Sequence, residues 1–127
     1  MEKNLGEFML RTMMISKIHR ATVTQRDLNY VGSITIDSKL LEASEMKPDE
    51  KVDIYNISNG NRFATYIIEG EAGSGVIGIN GAAARLVSIG DHIIIVSYGL
   101  LNETEVSAHK SNVIIVDNDS NTSFHKK

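Results

Sequence analysis

The chain of 127 residues contains no cysteine, and it contains only one proline. Without cysteine it cannot form a disulfide, use a thiol nucleophile or bind a metal through thiolates. No apolar stretch is long enough to cross a bilayer, and segment 1–8 lacks the apolar core of a signal peptide. We therefore expect a cytoplasmic protein that does not associate with membranes.

The charge is mildly acidic, with 13 Lys and Arg against 16 Asp and Glu, a formal net charge of −3. No basic run stands out, so nothing in the charge pattern indicates binding to nucleic acid. The four histidines are scattered without the spacing of metal ligands, and we expect no metal site.

Most of the chain has the residue pattern of β-strands. Val52 and Ile54 alternate with charged neighbours, whereas the continuous run 93–96 predicts a strand buried on both faces. Strands are predicted over 13–23, 34–36, 51–55, 62–69, 92–98 and 112–117. Asp37 caps a predicted helix over 38–45 that Pro48 ends, and a second short helix begins near Gly81.

The two helices lie in matching surroundings. The strand 34–36, a helix and the strand 52–54 form one unit, and 77–79, a helix and 93–95 form the other. This internal pseudo-repeat predicts two halves that interlock into one small closed β-barrel. We expect a single domain over 1–127, in which 1–8 is an extension and 118–127 a flexible tail.

The most specific motif is Gly32-Ser33, which stands between a turn-forming stretch and the alternating strand 34–36. Further motifs follow in order along the chain: Met9-Leu10-Arg11-Thr12-Met13, Lys17-Ile18-His19-Arg20, Asn59-Gly60-Asn61-Arg62-Phe63 with Thr65-Tyr66, and Asn80-Gly81-Ala82-Ala83-Ala84. Together they cover roughly 9–101. In these motifs the chain resembles the pyruvoyl-dependent aspartate 1-decarboxylases.

The resemblance implies a fold, a cofactor and a reaction. The implied fold is mainly β, a double-psi β-barrel with short helices, built from a duplicated unit. The implied cofactor is a pyruvoyl group derived from Ser33 by self-cleavage after Gly32, which leaves chains 1–32 and 33–127; neither a metal nor pyridoxal phosphate (PLP) is expected. The implied reaction converts L-aspartate to β-alanine and CO₂ for pantothenate and coenzyme A biosynthesis, in a homotetramer whose active sites lie between subunits.

The chemistry of the motif begins at the hydroxyl of Ser33. This hydroxyl can attack the carbonyl carbon of Gly32, where glycine offers the least steric resistance. Elimination and hydrolysis of the resulting ester leave a pyruvoyl group at residue 33. Its carbonyl forms a Schiff base with the substrate amine and accepts the electrons left by CO₂, as pyridoxal phosphate does.

The side-chain carboxylate of aspartate is retained, so the site needs a cation. The resemblance assigns Arg62 to substrate binding, and its guanidinium can clamp a carboxylate with two hydrogen bonds. It also implies that Lys17 helps to hold a substrate carboxylate. Tyr66 is the predicted proton donor to the substrate carbanion. Thr65 is implied to contact the site and assist self-cleavage, although a regular strand points it away from Tyr66.

The remaining candidates come from the resemblance together with local pattern. Small residues at a helix start let a ligand approach backbone N–H groups. The implied substrate contacts are Gly81, Ala82 and Ala83, and the implied supporting residues are His19, Tyr30 and Asn80.

Two other interpretations stay open at this point. One is a non-catalytic double-psi barrel that binds a peptide or protein, and the other is a small β-barrel transcription factor, against which the lack of a basic stripe weighs. Cleavage between Gly32 and Ser33 separates the decarboxylase from both.

Overall fold

A computed structural model of the chain describes residues 8–127, and over this range most of the backbone is β-strand. The strands are β1 Leu10–Thr22, β2 Gln25–Asp27, β3 Ser33–Asp37, β4 Lys51–Asn56, β5 Arg62–Gly70, β6 Ile77–Asn80, β7 His92–Asn102, β8 Asn112–Val116 and β9 Phe124–Lys126. The helices are α1 Ser38–Ser44, a 3₁₀ helix Gly81–Leu86, and α2 Glu103–Ala108.

The strands form one sheet that curls back on itself. Their order is β2-β6-β3-β5-β4-β7-β1-β8-β9. β2 and β1 stand first and seventh in this order, yet only two residues separate them in the chain. The sheet must therefore curve round until its first strand approaches its seventh. This confirms the predicted mainly β, barrel-like fold with short helices in one small domain.

The equivalent strands of the two sequence repeats lie side by side. β3 pairs antiparallel with β6, with Ile34 opposite Ile79, and β4 pairs antiparallel with β7, with Ile54 opposite Ile95. The repeats are therefore interlocked rather than stacked as separate halves.

The interior of the barrel is filled mainly by isoleucine. The fully buried side chains include Ile18, Ile34, Ile36, Ile54, Ile67, Ile77, Ile79, Ile93 and Ile95. Branched side chains fit a pleated surface, and each one buried contributes about 1.5–3 kcal/mol. In the run predicted to be buried on both faces, Ile93, Ile95 and Val96 are buried and Ile94 is half-buried.

The first helix has the predicted cap. Asp37 accepts a hydrogen bond from the Lys39 amide at 2.9 Å, and its carboxylate also accepts from the amides of Gly73 and Gly75 at 3.0 and 2.8 Å. The second helix is a 3₁₀ helix that Asn80 does not cap with its side chain. That side chain bonds across the sheet instead.

Sequence reasoning missed one helix and mistook the end of the chain. α2 begins with a capping box between Asn102 and Glu105, a spacing that is visible in the sequence. The prediction of a flexible tail over 118–127 is wrong, because β9 pairs with β8 and Asn121 is fully buried. The Asn121 amide group bonds Thr22 N, Thr22 O and Gly75 O, each at 2.8 Å, so a polar segment is held by backbone partners. Of the predicted extension 1–8, all but Phe8 lies outside the described residues.

Candidate active site

The hydroxyl of Ser33 is held in a fixed position at the start of β3. Ser33 is fully buried; its Oγ donates a hydrogen bond to Val31 O at 3.2 Å and accepts one from Asn80 Nδ2 at 2.9 Å. Asn80 Nδ2 also donates to Thr35 Oγ1 at 3.1 Å. The amide that was expected to support the site therefore reaches the predicted cleavage position directly.

Gly81 brings the start of the 3₁₀ helix against the peptide before Ser33. Its φ is +75°, and a Cβ there would lie 2.6 Å from Gly32 Cα and 2.9 Å from Gly32 N. Gly32 itself has open space, since an added Cβ would meet nothing within 4 Å. Packing therefore requires glycine at position 81, whereas it would allow a larger side chain at position 32.

Tyr66 lies beside Ser33 on the outer face of the sheet. β3 and β5 run parallel with Ile34 opposite Ile67, and both of these side chains point into the core. The same register continued by one residue places Ser33 next to Tyr66, with both on the opposite face. On the other side of Tyr66 stands Lys51, its partner in β4. One cross-strand row therefore joins Asn80, Ser33, Tyr66 and Lys51.

Thr65 lies on the other face of β5 from Tyr66. It pairs with Val52 without a shift of register, and it is half-buried between the inward residues Phe63 and Ile67. Thr65 and Tyr66 could face one site only if β5 were bent between them, and the β4–β5 ladder runs through both residues without a shift of register.

The predicted cations lie on the outer face but away from Ser33. Arg62 precedes Tyr66 by four residues, which is about 13 Å along the strand. Arg62 starts the cross-strand row Arg62, Tyr55, Ile94, His19, and Lys17 stands in the neighbouring row with Val96 and Asp53. One copy of the chain does not bring Arg62, Lys17 or His19 to the hydroxyl of Ser33.

The imidazole of His19 is in an environment that disfavours its charge. Burial lowers the pKa of His19, and the positive charges of Lys17, Arg20 and Lys127 lower it further. Its Nδ1 is buried without a hydrogen-bond partner within the range 8–127. Both observations disfavour the protonated ring.

Tyr30 lines a pocket next to the Asn80 side chain. The pocket has a volume of about 390 Å³ and is lined by Gln25, Arg26, Asp27, Tyr30, Thr35 and Asn80. Of the three predicted substrate contacts in the 3₁₀ helix, Gly81 is buried, Ala83 half-buried and Ala82 exposed. Arg26 fixes the helix by donating to Ala84 O at 3.0 Å.

Comparison with known proteins agrees with this arrangement of motifs. Residues 9–123 match the pattern of the family described as aspartate decarboxylase. The chain is 60% identical over 109 residues to the aspartate 1-decarboxylase of Listeria monocytogenes serovar 1/2a, covering 86% of each chain. It is 58% identical over 112 residues to that of Neisseria meningitidis serogroup C, covering 88% of each chain. The chain belongs to the aspartate decarboxylase family.

Membership of the aspartate decarboxylase family favours an enzyme over the binding module and the transcription factor. Within residues 8–127 no three His, Asp or Glu side chains are grouped as metal ligands. The same part of the chain has no helix that is long and apolar enough to span a membrane.

Three residues near the predicted site were missed in the sequence of this aspartate decarboxylase family member. Lys51 is the strand partner of Tyr66, and the Tyr55 ring lies under Arg62, 3.9 Å from ring centroid to guanidinium carbon. The Tyr55 hydroxyl lies 2.7 Å from that of Tyr98. Strand pairing and side-chain contacts reveal these neighbours, and no local motif contains them.

Proposed function

We propose that the chain decarboxylates L-aspartate to β-alanine and CO₂ with a pyruvoyl group made from its own Ser33. The observation that carries the proposal is the buried Ser33 hydroxyl, which follows Gly32 and accepts a hydrogen bond from Asn80. The β3–β5 register, extended by one residue from the pair Ile34 and Ile67, puts Tyr66 in the next strand position. Family membership supports the decarboxylase activity.

The residues around Ser33 fit the formation of this group. In the proposed step, Oγ of Ser33 bonds to the Gly32 carbonyl carbon, and the peptide C–N bond breaks to leave an ester. Loss of the Cα proton of residue 33 then expels segment 1–32 as a carboxylate, and water replaces the nitrogen of the resulting dehydroalanine, releasing ammonia. The Asn80 amide keeps Oγ beside the scissile peptide in the intact chain.

A pyruvoyl carbonyl at residue 33 supplies an electrophile that takes up the substrate amine and the electron pair left by CO₂. The proposed task of Tyr66 is to donate a proton to the substrate Cα, because its phenol stands in the neighbouring strand position. Arg62 and Lys17 are proposed to hold the retained carboxylate. Thr65, Gly81, Ala82 and Ala83 remain proposed substrate contacts, with His19, Tyr30 and Asn80 in support.

The separation of the cations from Ser33 supports a site shared between copies of the chain. Arg62 stands about 13 Å along β5 from Tyr66, further than an arginine side chain reaches. We propose a homotetramer in which Arg62 and Lys17 of one copy serve the Ser33 of a neighbour. The cytoplasm remains the proposed location, and no nucleic acid or membrane partner is proposed.

Intact mass and turnover of the purified protein test the proposal. We expect two fragments, 1–32 and a mass-shifted 33–127, together with release of CO₂ and β-alanine from aspartate. Ser33→Ala serves as the control and should give one folded, uncut and inactive chain. Activity in Ser33→Ala would refute the pyruvoyl mechanism, and an uncut wild-type chain that stays uncut on prolonged warming would refute self-cleavage.

A further inference from the structure

The guanidinium of Arg62 is oriented by an aromatic ring. It lies over Tyr55, 3.9 Å from the ring centroid, and the two residues are direct partners in the β4–β5 ladder. A guanidinium that stacks on a ring uses its planar face for the contact, which leaves the N–H groups at its edge for hydrogen bonds. Within residues 8–127 these N–H groups donate to no protein acceptor. The edge that recognises carboxylates is therefore free.

The Tyr55 ring is itself held in place at its hydroxyl. The Tyr55 hydroxyl donates to Asp53 Oδ2 at 3.3 Å and lies 2.7 Å from the hydroxyl of Tyr98, which then acts as the donor to Tyr55. The bond with Tyr98 and, second, burial raise the pKa of Tyr55 to about 12. The phenol keeps its proton at neutral pH, so this chain of hydrogen bonds persists.

We propose that Tyr55 is a positioning residue that presents the edge of Arg62 to the carboxylate retained by the substrate. An arginine side chain that is already stacked has lost much of its conformational freedom before the ligand arrives. Binding of the carboxylate therefore costs less side-chain entropy. Tyr55 would thereby favour amino acids that carry a second carboxylate. The inference rests on the proposed function, which makes Arg62 the binding group for that carboxylate.

Steady-state kinetics of the mature protein test the role of the ring. Tyr55→Leu removes the ring, and we expect KM for aspartate to rise about 2- to 30-fold, with a smaller change in kcat. Tyr55→Phe keeps the stacked ring and loses only the hydroxyl contacts that hold it, so its KM should stay closer to the wild-type value than that of Tyr55→Leu. A merely structural role would lower the active fraction, and hence kcat, without raising KM.

Calorimetric binding of succinate separates this inference from the proposed function. Succinate has two carboxylates and no amine, so its affinity for the mature protein does not depend on turnover. The dissociation constant should rise in Tyr55→Leu by a factor similar to that of KM and stay near the wild-type value in Tyr55→Phe. If the Leu variant changes KM and succinate affinity by less than twofold, the positioning role is overturned. If succinate binds in this ring-dependent way but aspartate is not decarboxylated, the proposed function fails and the positioning role stands.

Discussion

Replacement of Gly81 by alanine should slow self-cleavage without unfolding the protein. A Cβ at this position would lie 2.6 Å from Gly32 Cα, whereas carbon atoms in good contact stand about 3.5–4.0 Å apart. The peptide before Ser33 must therefore shift by about 1 Å, a misplacement that can reduce a rate about 100-fold. The positive φ of +75° adds about 1–2 kcal/mol of backbone strain.

Gly90→Ala is the matched control for the backbone strain. Gly90 has a φ of +94°, and an added Cβ would meet nothing within 4 Å. Both variants should lose stability in urea unfolding through the backbone strain, and Gly81→Ala should lose more because its Cβ also meets Gly32. Only Gly81→Ala should lose cleavage rate. The assay is the intact mass of freshly made precursor, followed over time at fixed temperature. Wild-type cleavage in Gly81→Ala, or equal slowing in both variants, would refute the reasoning.

Three further changes test other parts of the structure. Tyr66→Phe should still be cut after Gly32 but lose turnover by about 100-fold or more, and full turnover would exclude Tyr66 as sole proton donor. The pKa of His19 is lowered in the folded protein, so the unfolded chain binds a proton at this imidazole more readily than the folded chain does. The free energy of unfolding should therefore fall as the pH drops below about 6.5, the ordinary pKa of histidine. His19→Gln should show a shallower fall when urea unfolding is measured across this pH range. Asn121→Ala leaves Thr22 N, Thr22 O and Gly75 O without their hydrogen-bond partners. It should lower the free energy of unfolding, measured by urea denaturation, by about 2–4 kcal/mol. A loss below about 0.5 kcal/mol would contradict the anchoring of segment 118–127 by Asn121.

The fold was predictable where local pattern and global pairing agree. Alternating Val52 and Ile54, the run 93–96 and the two matching repeats all specify buried strand faces, and the structure pairs the repeats with each other. Segment 118–127 was predicted to be flexible because its polar composition is typical of disordered segments. Its order depends on the Asn121 amide group, whose three partners lie in distant segments of the chain.

The site was predictable only as a set of motifs. Gly32-Ser33, Arg62 and Tyr66 were identified from the sequence and its resemblance to a family, but their mutual distances were not. The expectation that Lys17 and His19 share a strand face agrees with the burial pattern, in which these half-buried residues alternate with buried Ser16 and Ile18.

The sequence by itself determined which segments form strands and which of their residues face the core, because these properties depend on neighbours within a few positions. It also supplied the motifs that resemble those of the aspartate 1-decarboxylases. The tertiary structure decided that Asn80 bonds Ser33, 47 residues away, and that Tyr55 lies beneath Arg62. It also decided that Arg62 stands far from Ser33 in one copy of the chain. Such relations follow from the order and register of the strands. The closure of the whole sheet fixes both, and no local sequence pattern encodes them.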